Sequence, residues 1–369
     1  MKKTALLLFA SLIALSLVGC QSRSSTSDGS QTTVMLPEET EYLFYERVSE
    51  YGTLALETSP QSLLGDIAKI RVYKERIFLL STGDDASLLV FDKSGRFITR
   101  VGFQGRGPQE YVSLYNFEID PTRDELLLID NQGQKILLFD LDGKFKQTIP
   151  SPFWLECVGR LPDGRFVLAY SVMSVKNNEY SVVAICDEAG NVLERHIESR
   201  VDMMFSVGTR DMMIARADGS LSLMPQYHSA IYRITDKGVS AEIGFEFPEK
   251  IITLDRLKEE FGSNLETINF DVLTENSSVV GDHAEDDDWI IFNSKVFSDE
   301  KAFYNKASGE VFRSKHPLFG QAIYLDDEGY CWASLYEVPE SADDPLMQQL
   351  IEAYAGDDNR PLVYYRLKP

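Results

Sequence analysis

Short apolar runs, each ended by an Asp or Asn with a Gly close behind, recur along most of this chain. "LLVFDKSGRFITRVG" (Leu88–Gly102) is one: an apolar stretch, a polar turn, a second stretch. "ILLFDLDGKFKQTIP" (Ile136–Pro150), "VVAICDEAGNVLERHI" (Val182–Ile197), "AIYRITDKGVSAEIGF" (Ala230–Phe245) and "AFYNKASGEVFRS" (Ala302–Ser314) repeat the design. Two strand-sized runs around such a turn predict a β-hairpin. The turn-opening residues are Asp92, Asp140, Asp187, Asp236 and Asn305, spaced by 48, 47, 49 and 69. The long spacing holds one period and an extra segment. There, in Ile251–Ile268, Leu254, Leu257, Phe261, Leu265 and Ile268 recur at helical spacing, which predicts an inserted helix.

A second hairpin precedes the first in the full repeats: "FEIDPTRDELLLID" (Phe117–Asp130), "GRLPDGRFVLAY" (Gly159–Tyr170), "MIARADGSLSLM" (Met213–Met224) and "IYLDDEGYCWAS" (Ile323–Ser334). Four strands at a period near 48 describe a propeller blade. The expected fold is therefore all-β: a six-bladed β-propeller of four-stranded blades over residues 40–369. The last repeat lacks its fourth strand, and the strand-like stretch Tyr42–Glu57 lacks a partner. An N-terminal strand is expected to close the ring, which leaves no unpaired edge. A second helix is predicted in Pro339–Pro361, with Pro345 near its start, Leu346, Leu350 and Tyr354 on one side, and Gly356 as its stop.

The first residues change the picture of where this fold works. Lys2 and Lys3 precede an apolar run from Ala5 to Val18 that ends on Leu17-Val18-Gly19-Cys20. This reads as a lipoprotein signal over 1–19, with Cys20 the lipidated residue. Residues 20–39, polar and low in complexity at Ser22–Thr33, are expected to form a flexible tether. Membrane attachment through that lipid and a place in the outer membrane, facing periplasm or cell surface, follow as expectations. The formal charge is −22, and loss of Lys2 and Lys3 takes it to −24. Such a body repels nucleic acid. Cys157, Cys186 and Cys331 have no CxxC or metal spacing and are read as buried free thiols. No cofactor and no metal is expected, and the domain is expected to be a monomer.

The hairpins with DxxG turns, the lipobox and the stretch "GRGPQEY" together resemble the six-bladed, TolB-like β-propeller lipoproteins of Bacteroidetes. The likeness covers roughly residues 40–369 and departs at Gln109, where that family usually has Gly. It implies a fold and an envelope location, without a settled activity.

Strand order then places the candidate chemistry. With strands lettered a to d from the axis outward, the a–b and c–d turns share one face. The b–c loops and the d–a crossovers share the other. "GFQGRGPQEYVSLY", both helical insertions and Ser171–Tyr180 all fall on the second, loop-rich face, where a rigid scaffold tends to carry function. The candidate binding residues are Gly105, Arg106, Gly107, Glu110 and Tyr111. The amides near Gly105 and Gly107 could cradle an anion beside Arg106. Alternatively, the loop is a chain reversal in which Arg106 pairs with Glu110 or an inner-strand acid; this is the favoured outcome. No catalytic residue is assigned. A binding or scaffold module is the leading function. A metal-dependent propeller hydrolase would use Glu118, Asp120 and Glu156 on the axis. A glycan-binding component would use Tyr111, Tyr115, Tyr180 and Tyr227. "HAEDDDW" (His283–Trp289) is read as a solvated turn ahead of a Ca²⁺ site, and Trp154, Trp289 and Trp332 as strand residues.

Overall fold

The computed structural model describes residues 31–369 apart from 84, 171–180, 199–209, 227, 249–258, 260–281, 295–299, 321–322, 336, 339–341, 355 and 357. Two strands come first, β1 (Thr32–Met35) and β2 (Val48–Leu54). Blade 1 follows as β3 (Asp66–Tyr73), β4 (Arg76–Thr82), β5 (Ser87–Asp92) and β6 (Phe97–Val101). Blade 2 is β7 (Leu114–Asp120), β8 (Glu125–Asp130), β9 (Lys135–Asp140) and β10 (Phe145–Pro150). Blade 3 is β11 (Leu155–Arg160), β12 (Phe166–Tyr170), β13 (Ser181–Cys186) and β14 (Val192–Glu198). Blade 4 is β15 (Met213–Ala215), β16 (Leu221–Leu223), β17 (Ala230–Thr235) and β18 (Gly238–Glu246). Blade 5 is β19 (His283–Glu285), β20 (Trp289–Asn293), β21 (Lys301–Asn305) and β22 (Val311–Ser314). Blade 6 holds β23 (Ile323–Leu325), β24 (Cys331–Ala333) and β25 (Leu362–Leu367), completed by β2, which pairs antiparallel with β25. The six-bladed propeller and its N-terminal closure stand as expected.

Each turn is set by local chemistry. Asp92, Asp140 and Asp187 accept backbone N–H groups two and four residues on, as Asx turns do. In blade 4 the role moves back one residue: Thr235 Oγ1 accepts from Lys237 N, and Thr235 pairs directly with Gly238. Asp286 accepts from Asp288 and Trp289 N, so of "HAEDDDW" only Asp286–Asp288 form the expected turn, while His283–Glu285 and Trp289 are buried strand residues of β19 and β20. Gly95 combines φ +81° with Ala55 O only 2.0 Å from where a Cβ would sit. A side chain there would collide with neighbouring backbone.

The core is a ring of six blade-to-blade interfaces. Leu126 and Leu128 of β8 face blade 1, whereas Leu127 and Ile129 face blade 3. A strand buried on both sides has no reason to alternate polar and apolar residues, which explains the unbroken "ELLLID". Matching clusters join the remaining pairs, including blade 6 to blade 1 through Leu56, Ile70, Leu89, Trp332 and Leu362.

The N-terminal segment is a belt across three blades. β1 adds in parallel to β18 of blade 4, with Thr32 opposite Ile243 and Met35 opposite Glu246. Val34 and Leu36 enter the blade 4–5 core. Glu41 bridges to Ser314 of blade 5, and Arg313 donates to Pro37 O at 3.1 Å. Phe44 is buried against Phe319 and Tyr365 before β2 completes blade 6. The strand β1 therefore lies inside the stretch 20–39 assigned to the tether. The rest of that stretch before Gln31 lies outside the described residues, as do Cys20 and the signal segment.

One of the two expected helices is described, α1 (Pro345–Ala353), capped by Asp344 with Pro345 in its first turn. Leu346, Met347 and Leu350 are its buried residues, while Tyr354 is its C-cap. Tyr45 Oη donates to Asp344 at 2.8 Å, and the helix packs on β2 and the blade 5–6 core. It leaves the b–c connection of blade 6 and braces the closing strand. The helix expected at 251–271 falls, Glu259 apart, outside the described residues.

Candidate functional site

The crossover Gly102–Ser113 links β6 to β7. Gly105 N donates to Tyr111 O, and Tyr111 N to Phe103 O, at 2.8 and 3.1 Å. The Glu110 carboxylate folds back into the loop: its Oε2 accepts from Gly107 N at 2.8 Å and lies 2.0 Å from a Cβ built on Gly105. The anion suited to these amides is thus supplied by the chain itself. Arg106 points outward, exposed, with no ion pair or side-chain hydrogen bond among the described residues. That corrects the expected Arg106–Glu110 pair: the acid is engaged by backbone, and the guanidinium is left in solvent. Tyr111 is buried in the blade 1–2 core, with burial pushing its phenol up to about 12. Lys135 Nζ and Thr148 Oγ1 hold the loop by its Glu110 and Pro108 carbonyls. Gly105, Gly107, Glu110 and Tyr111 together make a tied chain reversal.

A second assembly lies on the axis, where sequence reasoning placed only Glu118, Asp120 and Glu156. Lys69 Nζ contacts Glu118 Oε1, Asn116 Oδ1 at 3.1 Å and Asp211 Oδ1 at 3.5 Å. Arg71 pairs with Glu118 at 3.0 Å and with Asp211 at 2.7 Å, and its guanidinium lies 5.1 Å from the Tyr324 ring centre. All of these charged side chains are buried. An unpaired charge at such depth would be far too costly, so each is matched.

Arg210, on the way into blade 4, joins the other blades through its backbone. Its carbonyl accepts from Lys69 of blade 1, Asn116 of blade 2 and Cys157 of blade 3, at 2.9, 2.9 and 3.3 Å. Its N–H, and that of Asp211, donate to Asp282 Oδ1 at the entry to blade 5, at 2.6 and 2.8 Å. Depth and the nearby Asp211 push the Asp282 carboxyl up to about 6. The adjacent His283, bonded through Nε2 to Ser222 Oγ at 3.1 Å, is held neutral by burial and falls to about 4.

The three carboxylates expected to line a metal site do not converge on one. Glu118 is taken by Lys69 and Arg71. Asp120 accepts from Thr122 in its own turn. Glu156 accepts from the Tyr115 hydroxyl, which burial holds well above its ordinary pKa. Among the described residues no cluster of three or more His, Cys, Asp or Glu could hold a metal ion. Cys157, Cys186 and Cys331 are free and buried.

Of the tyrosines considered for glycans, Tyr111 is core, Tyr115 is half-buried, and Tyr180 and Tyr227 lie outside the described residues. Trp154, read as a strand residue, instead ends the Ser151–Trp154 crossover and is 49% exposed. Leu63, in the connection from β2 to β3, is 54% exposed. The missed residues Lys69 and Arg71 did leave a signal. They are charges set inside an otherwise apolar strand, "DIAKIRVY".

A protein from Bacteroides fragilis NCTC 9343, described as a "Putative exported protein", has a similar structure. Its TM-score is 0.77 at 18% identity, covering 92% of this chain and 100% of that one. A member of the duf4221 family from Bacteroides vulgatus ATCC 8482 matches at TM-score 0.51 and 9% identity, over 87% of this chain and 97% of its own. At these identities the likeness speaks to the fold. None of the curated proteins compared matches the chain. The family model for the domain of unknown function DUF4934 matches residues 35–365, from the first strand of the belt to the last strand of the ring, and the chain belongs to that family.

Proposed function

We propose that this protein is a lipid-anchored propeller of the cell envelope that holds a partner on its loop-rich face. The observation that carries the reading is the contrast between axis and surface. The axis is filled by matched charges and by the Arg210 backbone, while Leu63 and Trp154 stand exposed on connections of one face. Exposed large apolar side chains on a rigid scaffold suit contact with a partner. The "LVGC" ending of the signal segment supports the anchor, and the description of the B. fragilis relative supports export. Among the described residues no helix is long and apolar enough to cross a membrane; the proposed attachment is through Cys20.

Two measurements test this. Cys20→Ala should abolish palmitate labelling and release the protein from the membrane fraction; retention in the membrane would refute the anchor. A photo-crosslinking residue at position 63 or 154 should give discrete adducts in cells, and one at Asp142, on the opposite face, should not. Equal labelling from both faces would refute the binding-face assignment.

A further inference from the structure

We infer that the outer edge shared by blades 5 and 6 rests on the surface of the membrane that holds the lipid, so that the propeller stands edge-on with its loop-rich face open to the side. This deepens the proposed reading and rests on its lipid anchor. Among the described residues nine large apolar side chains are exposed, and four of them, Met35, Tyr42, Leu43 and Tyr51, belong to the N-terminal belt. The belt thus carries apolar surface out of proportion to its length. Tyr42, Leu43 and Tyr51 are 66%, 45% and 41% exposed. The aromatic rings here touch in series. Tyr42 lies 5.1 Å from His316, and His316 stacks on Phe44 at 5.4 Å, centre to centre. Phe44 and Tyr45 in turn lie 6.2 and 5.2 Å from Tyr51. His316 belongs to the β22–β23 crossover, and Tyr51 to β2, the outermost strand of blade 6. The result is one aromatic strip along the rim, seated on the buried Phe44.

Distance along the chain chooses the occupant. Cys20 lies twelve residues before Thr32. Such a stretch reaches at most about 40 Å, and from Thr32 onward the chain is bonded along blades 4, 5 and 6. A lipid on Cys20 therefore holds the membrane to this half of the ring. Contact across so short a link is intramolecular, and weak contacts suffice for it. Side-chain type agrees. A tyrosine, with an apolar ring and a polar tip, suits the level of the lipid headgroups. Charge then sets the lipid class. Glu38, Glu39, Glu46 and Glu50 stand exposed in the same stretch. A zwitterionic surface accepts such an edge, and an anionic one repels it.

The experiment uses the full lipidated protein in vesicles of phosphatidylethanolamine and phosphatidylcholine. A photo-crosslinking residue replaces Tyr42, Tyr51 or Leu193, one at a time, and lipid adducts are counted by mass spectrometry. Leu193 is the control: it is 54% exposed on β14, the outer strand of blade 3, across the ring from blade 6. Positions 42 and 51 should give about fivefold more lipid adduct than position 193, the enrichment a short link confers. With phosphatidylglycerol in place of phosphatidylcholine, adducts at 42 and 51 should fall by about half or more, as like charges repel. Should replacement of Tyr51 unsettle β2, Leu43 takes its place as the reporter. Equal lipid adducts from 42, 51 and 193 in vesicle-bound protein overturn the inference and leave the anchor standing. Adducts that hold or rise with phosphatidylglycerol overturn it as well, and so do adducts to a second copy of the chain in place of lipid. Protein whose Cys20 carries no lipid removes the anchor and this contact together.

Discussion

Glu110 shows how one side chain can turn a ligand-like loop into a structural one. Its carboxylate is bonded to the Gly107 amide and packed on Gly105. Glu110→Ala should therefore cost about 1 kcal/mol from the lost hydrogen bond, while Arg106→Ala stays within about 0.5 kcal/mol. Thermal melts of the two variants check this, and a larger loss from Arg106→Ala would contradict the arrangement. On the axis, Asp282 and His283 titrate against each other. The native state holds the Asp282 proton up to about pH 6, so its stabilising contribution is full in acid and is lost as pH rises through 6. The native state keeps His283 neutral down to about pH 4. Its contribution is full above the ordinary histidine value and is lost as pH falls towards 4, amounting to about 3 kcal/mol at most. Between pH 4 and 6 the two slopes oppose. Asp282→Asn should make the melting temperature climb more steeply with pH than in the parent protein, and His283→Gln should make it climb less or fall. Identical pH profiles for all three proteins would mean the pair does not titrate in this way.

At the level of elements, legibility in the sequence tracked the range of the interactions involved. Asp92, Asp140 and Asp187 announce their turns because the capping bonds span two to four residues. The strand β8 is legible because burial on both faces leaves its apolar run unbroken. β1 was hidden: only Val34 and Leu36 of its neighbourhood are buried, and its partner lies some two hundred residues away. The loop that carries the binding candidates was hard to read for a related reason. Glycines near an arginine suggest an anion site, yet the occupant, Glu110, could be identified only from the fold of the loop. Arg210 has no local motif at all, since its partners come from blades 1, 2, 3 and 5. The belt's two strands should be separable. Removing residues 1–36 strips β1 and lowers the melting temperature, yet leaves blade 6 complete and the domain monomeric. Removing residues 1–57 also takes β2 and bares the edge of β25, and bare edges recruit other strands. Light scattering after size exclusion should find the second protein aggregated and the first not. The same monomer from both would show that β2 is dispensable.

For the molecule as a whole, closure joins the two ends of the chain. Ser49 bonds to Arg366 across 317 residues, and β1 has no edge to join until blade 4 exists. Contacts of such separation form late, because a long loop must be closed before they repay its entropy. A ribosome makes the belt first and its final partner last. Until Leu362–Leu367 has been synthesised, no complete ring can form. The nascent chain is thereby kept from its finished shape for nearly the whole of its synthesis, and so remains threadable. If the proposed leader at residues 1–19 carries the chain through a membrane, that delay would give the translocation machinery its time.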